Sequence, residues 1–297
     1  MIGSRTTSAC LSRWSIGHDI YHDVALGREE FQLLLDGASG VSTVLKRPDS
    51  EAHDLLAAYL ATGDELSWEE AAEQLGRVLA VGLCPEDREF DRFLPYEMQL
   101  VSYQYWTGLA VAKRAAAWFA ELGVRTVADI GSGVGKFCVA AALFSRGGGM
   151  GSGRFTGLEQ RRWLVAAARN LARLFRVEDR VSFITGAVGE VVPPIAEAYY
   201  FYNPFAENLF PPSDHLDDSV VLGQARYDRD IAAVEEFLCR VPVGTFILTY
   251  NRFGGRIPSG YDEVRVARDL PAVLRMWRKT RVCQESRAAQ SMIVEST

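Results

Sequence analysis

The sequence predicts an α/β protein: a parallel sheet with helices on both faces, preceded by a helical subdomain. Three observations predict it. From about Pro95 onward, short apolar runs of strand length alternate with segments of helical periodicity, which is the pattern of a parallel sheet with crossover helices. One of those runs, TVADI, passes directly into the glycine-rich turn GSGVGKF, where a strand hands over to a helix. Before about Leu94 the apolar spacing is helical throughout. We therefore divide the chain into a helical N-terminal subdomain, 1–94, acting as a cap or in substrate binding, and a sheet domain, 95–297.

The helical part reads as REEFQLLLDG, SEAHDLLAAYLATG and SWEEAAEQLGRVLAVG. Ser50 and Ser67 stand at N-cap positions with acids in the first turn, and Gly37, Gly63 and Gly82 fall where the helices stop. Leu55, Leu56, Tyr59 and Leu60 recur at helical spacing. The stretch FLPYEMQLVSYQYWTG, Phe93 to Gly108, is unusually aromatic. The helix AVAKRAAAWFAELG ends at Gly123 and leads to the strand TVADI, and GKFCVAAALFS resumes helical character. RGGGMGSGR reads as a surface loop before the strand RFTGLE. The helix RRWLVAAARNLARLF follows, with Leu164, Ala167, Ala168, Leu171 and Phe175 on one face. RVSFIT, AYYFYN and GTFILTY are further strands, and the tail YDEVRVARDLPAVLRMWRKTRV reads as paired strands closing one edge of the sheet.

Composition narrows the function. Of the 297 residues, 38 are acidic and 32 basic, a net charge of -6, which argues against a dedicated nucleic-acid binder. No apolar stretch reaches the roughly 18 residues of a membrane span, and the N-terminus has no apolar core of a signal peptide. The five cysteines are scattered, against both a disulfide framework and a zinc knuckle. The expectation is a cytoplasmic protein without a membrane partner.

The glycine turn decides the ligand. A P-loop needs G-x-x-x-x-G-K-[ST], but the spacing from Gly131 to Gly135-Lys136 is wrong and Phe137 replaces the magnesium-holding hydroxyl. A dinucleotide turn needs G-x-G-x-x-G. Here the third glycine comes one residue early and Lys136 takes the last place, which disfavours a nicotinamide dehydrogenase. Asp129, two residues before the first glycine, would repel a pyrophosphate but suits a cation.

ADIGSGVGKF resembles motif I of the class I S-adenosylmethionine-dependent methyltransferases. That resemblance implies a Rossmann-like seven-stranded methyltransferase sheet. It also implies S-adenosyl-L-methionine as cofactor, with S-adenosyl-L-homocysteine as product. Asp129 then lies near the methionine end, and Gly131, Ser132, Gly133 and Gly135 allow close backbone approach. Glu159, ending the second strand, takes the place of the acid that binds ribose hydroxyls, with Gln160 beside it. No acid follows the third strand, so the adenine contact falls to backbone near Ala187 and Val188, with Glu190 a weak substitute.

YNPF, Tyr202 to Phe205, resembles motif IV of amino-group methyltransferases, though with one proline where two are usual. By that resemblance Asn203, with the following backbone carbonyl, accepts from the target nitrogen and also borders the cofactor. Pro204 and Phe205 complete the catalytic turn, Phe205 as an aromatic wall. The same residues also read as a plain strand-ending turn. The series GSGVG, GLE and YNPF further resembles the non-SET histone-lysine methyltransferases and, more closely, bacterial methyltransferase-domain proteins carrying NPF and an ending like GTFILTYNRFGG. Tyr96, Tyr103, Tyr202 and Tyr250 are candidate substrate-binding residues; Tyr105 and Trp106 suit either a lid or the core.

The partner is thus a methyl acceptor of unassigned class, with nitrogen on a protein, peptide or small molecule favoured. An amine must lose its proton, for which Glu207 and Tyr202 are near in sequence. An oxygen acceptor served by His215 and a non-catalytic cofactor-binding module are the alternatives. His18 and His22 have helical metal-pair spacing but no third ligand, and no metal is expected.

Overall fold

The computed structural model describes residues 50–62, 66–146 and 153–283. The segment REEFQLLLDG, His18 and His22, the stop glycines Gly37 and Gly63, and most of RGGGMGSGR lie outside the described residues. Two helices lead, α1 (Ser50–Thr62) and α2 (Trp68–Ala80). Ser67 caps α2 with a reciprocal pair: its side chain accepts from the Glu70 N–H, and the Glu70 side chain accepts from the Ser67 N–H. Ser50 is itself the first helical residue of α1, not a cap outside it. Tyr59 is buried but Leu60, one residue on, is 57% exposed, so the apolar face of α1 is narrower than its sequence implies.

Three short turns of helix, α3 (Asp87–Asp91), α4 (Tyr96–Leu100) and α5 (Ser102–Tyr105), carry the chain across the sheet to α6 (Leu109–Glu121). Strands and helices then alternate, except that a loop without a helix joins β3 to β4: β1 (Thr126–Ile130), α7 (Lys136–Phe144), β2 (Arg154–Glu159), α8 (Arg162–Leu174), β3 (Val181–Thr185), β4 (Ala198–Tyr202), α9 (Gln224–Arg240) and β5 (Phe246–Tyr250). Two closing strands follow, β6 (Tyr261–Ala267) and β7 (Leu274–Lys279). The seven strands lie in the order β3-β2-β1-β4-β5-β7-β6. The first five run parallel, and β7 inserts antiparallel between β5 and β6. This is the Rossmann-like seven-stranded sheet that the sequence leads one to expect.

Burial accounts for the arrangement. β1 and β4 read as apolar runs because both faces are covered, as in central strands of a parallel sheet. Alternate residues separate into two cores. Val127, Tyr200 and Leu248 join the core shared with α2, α6, α7 and α8. Ala128, Ile130, Phe201 and Ile247 join the one under α9, with Val234 and Leu238. By the same alternation Asp129 faces α7. The helices before residue 95 share that first core: Phe90 stacks on Phe175 at 4.9 Å between ring centres. The described residues fall in one compact unit. Among the described residues no helix is long and apolar enough to cross a membrane.

Strand order turns between β1 and β4, with β2 and β3 to one side and β5 to the other. In open α/β sheets the crevice at that switch, outside the carboxyl ends of the strands, is where ligands bind. Asp129 and the glycine turn, Glu159 and Asn203 stand at the carboxyl ends of β1, β2 and β4.

Candidate functional site

The glycine turn is built by close approach. Gly131 has φ +78° and Gly133 φ +54°, left-handed backbone that side chains disfavour. Space forbids side chains as well. A Cβ on Gly131 would lie 2.6 Å from the Pro204 Cβ, and one on Gly133 would lie 2.2 Å from the Trp106 ring. The first contact joins the turn to the end of β4, and the second to the aromatic segment before α6. Gly135 then opens α7.

Two acids face this turn from adjacent strands. Asp129 is buried and accepts from the Cys138 thiol, Sγ to Oδ2, at 3.6 Å. Burial, reinforced by Glu159 and opposed by the thiol, pushes its carboxyl up to about 8. Burial also drives Cys138 up, with Asp129 adding to it, so the thiol keeps its proton. Glu159 is buried too: Oε2 accepts from the Gly133 N–H at 3.0 Å and Oε1 from the Arg161 N–H at 2.8 Å. Burial raises its carboxyl, and those two N–H groups hold part of the rise back. Gln160, beside it, accepts from Arg226.

The end of β4 is strained. Asn203 has φ +41°, and its N–H donates to the Arg252 carbonyl at 2.9 Å. Asn251 and Arg252, following β5, have φ +53° and +64°. Three non-glycine residues in left-handed backbone at neighbouring strand ends are the clustering expected of a functional site. Phe205 is buried, and Pro204 packs against the glycine turn. Glu207, two residues on, is no free base. Arg161 grips both of its oxygens at 2.8 and 2.9 Å, and Oε1 also takes the Leu216 N–H at 2.7 Å.

The four candidate tyrosines separate. Tyr202 and Tyr250 are register partners on β4 and β5, with ring centres 5.0 Å apart, and the Tyr202 hydroxyl donates to the Gln104 carbonyl at 3.3 Å. Tyr96 and Tyr103 are 67% and 76% exposed. Tyr105 and Trp106 are the aromatic residues of that segment that reach the turn, with Trp106 held by its indole N–H on the Met98 carbonyl at 3.0 Å. Ala187 and Val188 are buried after β3, and Glu190 is exposed. His215 sits in the loop after β4, one ring nitrogen 3.0 Å from the Phe210 carbonyl.

Residues that spacing did not single out complete the site. Lys136 is fully buried, its ammonium 2.6 Å from Asp91 and 3.0 Å from Asp87, with Ser102 Oγ at 3.3 Å. It pins α3 and α5 to the start of α7. Tyr200 hydrogen-bonds Thr107 at 2.8 Å and stacks on Phe137 at 3.7 Å. Ser132 Oγ is buried without a hydrogen-bond partner among the described residues. These partners lie 30 or more residues apart in the chain, so local spacing carries no sign of them.

Chemically the site fits a cationic, diol-bearing ligand. It offers a buried acid met, among the described residues, by a thiol and by no ammonium, a second acid with backbone-fixed oxygens, an orphaned hydroxyl, and glycines where no Cβ can stand. The cavity bounded by Tyr105, Trp106, Thr107, Asp129, Gly131, Ser132, Lys136, Phe137 and Tyr202 holds about 10 Å³, room for roughly one water. The aromatic segment is therefore folded down on the turn. A larger cavity of about 420 Å³ lies at the opposite edge of the sheet, among Thr126, Arg154, Arg180 and Ser182. It lies at the amino-terminal ends of β1, β2 and β3, and neither acid nor any residue of the glycine turn lines it.

No family model and no curated protein matches the chain. Several solved structures are similar to it in part. An RNA methyltransferase from Salinibacter ruber, in complex with S-adenosyl-L-homocysteine, is 21% identical over 60% of this chain and 96% of its own, with a TM-score of 0.42. An O-methyltransferase from Bacillus cereus, also in complex with S-adenosyl-L-homocysteine, is 14% identical over 71% of this chain and 100% of its own, with a TM-score of 0.42. An O-methyltransferase from neocarzinostatin biosynthesis, with S-adenosylmethionine and 2-hydroxy-5-methyl naphthoic acid, is 15% identical over 77% of this chain and 68% of its own, with a TM-score of 0.41. At such identities and TM-scores these likenesses say nothing about this chain's ligand, and the functional reading rests on its own residues.

Proposed function

We propose that the chain is an S-adenosylmethionine-dependent methyltransferase acting on a nitrogen acceptor of a protein, peptide or small molecule. The observation that carries this reading is the pair of buried acids at the ends of β1 and β2, bridged by the glycine turn: the Gly133 N–H binds Glu159 while Asp129 lies behind the turn. Asp129, beside the turn, disfavours the pyrophosphate that a nicotinamide cofactor would bring and suits a cation that favours its ionised form, while Glu159 suits a diol. They favour a ligand with positive charge at one end and a diol near the middle.

S-adenosylmethionine, when bound, supplies a methyl group already activated on a sulfonium. The chain's own work is then to bind and orient. Asp129 balances the donor's positive charge, and Glu159 keeps lone pairs for two hydroxyls beside its backbone partners. Asn203, held in left-handed backbone, offers its side-chain oxygen to the acceptor nitrogen, with Phe205 as the wall behind it. Tyr202 and Tyr250 line the acceptor side. Donor access requires the segment 96–108 to lift from the turn, since a site for such a ligand needs about 300 Å³ or more. The helices before residue 95 act as the cap that carries this segment.

Methyl-labelled S-adenosylmethionine incubated with the protein and a cell extract, then separated by size, tests the proposal. The expected result is label in a protein, peptide or small-molecule fraction, stable to mild base as an N-methyl group is. Asn203→Ala should lower it at least about tenfold. Label found by fragmentation of the product on oxygen, as a methyl ether or ester, and lost in His215→Ala but kept in Asn203→Ala, would overturn the nitrogen reading in favour of an oxygen acceptor.

A further inference from the structure

Arg161 joins the two halves of the site. Two residues beyond Glu159, it donates its N–H to Glu159 Oε1 at 2.8 Å. Its guanidinium makes a paired contact with Glu207 at 2.8 and 2.9 Å and reaches Asp217 Oδ1 at 3.0 Å. Asp217 also receives the Trp163 indole N–H, and Ser219 binds it through backbone and hydroxyl. Glu207 lies four residues after Asn203, so this one side chain holds the stretch from the β4 turn to Asp217 at two points, 207 and 217, with the Tyr105 hydroxyl on the Asp214 carbonyl at 2.7 Å between them. Arg161 is 4% exposed.

The strands do not need this cluster, because β2 and β4 are both already held by their ladders to β1. What it fixes is the loop. A planar fork satisfied on all three nitrogens has one seating, and a displaced partner must carry the others with it. Glu159 Oε1, shared by the Arg161 N–H and an incoming hydroxyl, is where that displacement would begin.

We propose that Arg161 is a positioning residue that transmits occupancy of Glu159 to the loop 203–217, placing Asn203-Pro204-Phe205 when the diol is bound. The inference rests on the methyltransferase reading of the same site.

Hydrogen exchange of the full chain, with and without S-adenosyl-L-homocysteine, tests it, alongside calorimetry with the same probe. In the unaltered protein the probe should slow exchange in 203–217 by about tenfold. In Arg161→Gln the probe should still bind, with affinity reduced by no more than that same factor, as linkage requires, while the slowing falls below about twofold. Arg161→Lys keeps the charge without the fork and should not restore it. If Arg161→Gln does not fold, Asp217→Ala removes one of the three contacts and should leave a slowing of about threefold. Undiminished slowing in the Arg161 or Asp217 variants, or probe binding that leaves 203–217 unchanged in the parent, overturns the coupling. No probe binding to the parent at all would instead overturn the methyltransferase reading, and the coupling with it.

Discussion

At the end of β1 the Asp129 carboxyl is sealed among apolar groups and a thiol, and it holds its proton up to about 8. An aspartate in the unfolded chain titrates near ~3.9, so the folded state binds the extra proton between those values. Stability from this group is therefore present at low pH and lost as pH rises from about 4 to about 8. Urea unfolding at several pH values should show a decline of at most about 1.4 kcal/mol per pH unit, and Asp129→Asn should flatten it. A cationic ligand works the other way: it favours the ionised carboxyl and strengthens as pH rises toward 8. At Gly133 the constraint is steric. Alanine there meets both φ +54° and the Trp106 ring, and should cost about 2–3 kcal/mol, read as a lower urea midpoint.

Among the elements, α3, α5 and α7 meet on the Lys136 ammonium. Lys136→Met leaves Asp91 buried without its cation, a loss of about 3 kcal/mol in chemical denaturation. Exchange should rise in 87–108 before it rises in the strands, because the pair holds that segment and not the sheet. Helices and strands were the legible part of the sequence because periodicity is local. Ser67 with Glu70, the buried run of β1, and the paired closing strands stand where their spacing puts them. Leu60 shows the limit: its spacing matches a core face, yet what covers that face is decided by distant chain. The same holds for Tyr96 and Tyr103, aromatic by sequence and open to solvent by packing. Arg161 was illegible for the plainest reason: its partners lie 46 and 56 residues away.

Across the molecule, one sheet edge gathers what the sequence scatters. The glycine turn, both acids and the β4 turn converge at the carboxyl end because parallel strands place all their exits on one side. Residue types and spacing already point to the glycine turn and its two acids, since short motifs carry them. The acceptor side of the proposal lies in packing between loops, and spacing does not reach it. Which ligand fills the converged edge is the central question, and calorimetry with S-adenosylmethionine and NAD on the same preparation answers it most directly. The prediction is one-to-one binding of S-adenosylmethionine, weakened at least about tenfold in Asp129→Asn and in Glu159→Gln, with no heat from NAD. Binding of NAD in place of S-adenosylmethionine, or full affinity retained in both variants, would contradict it.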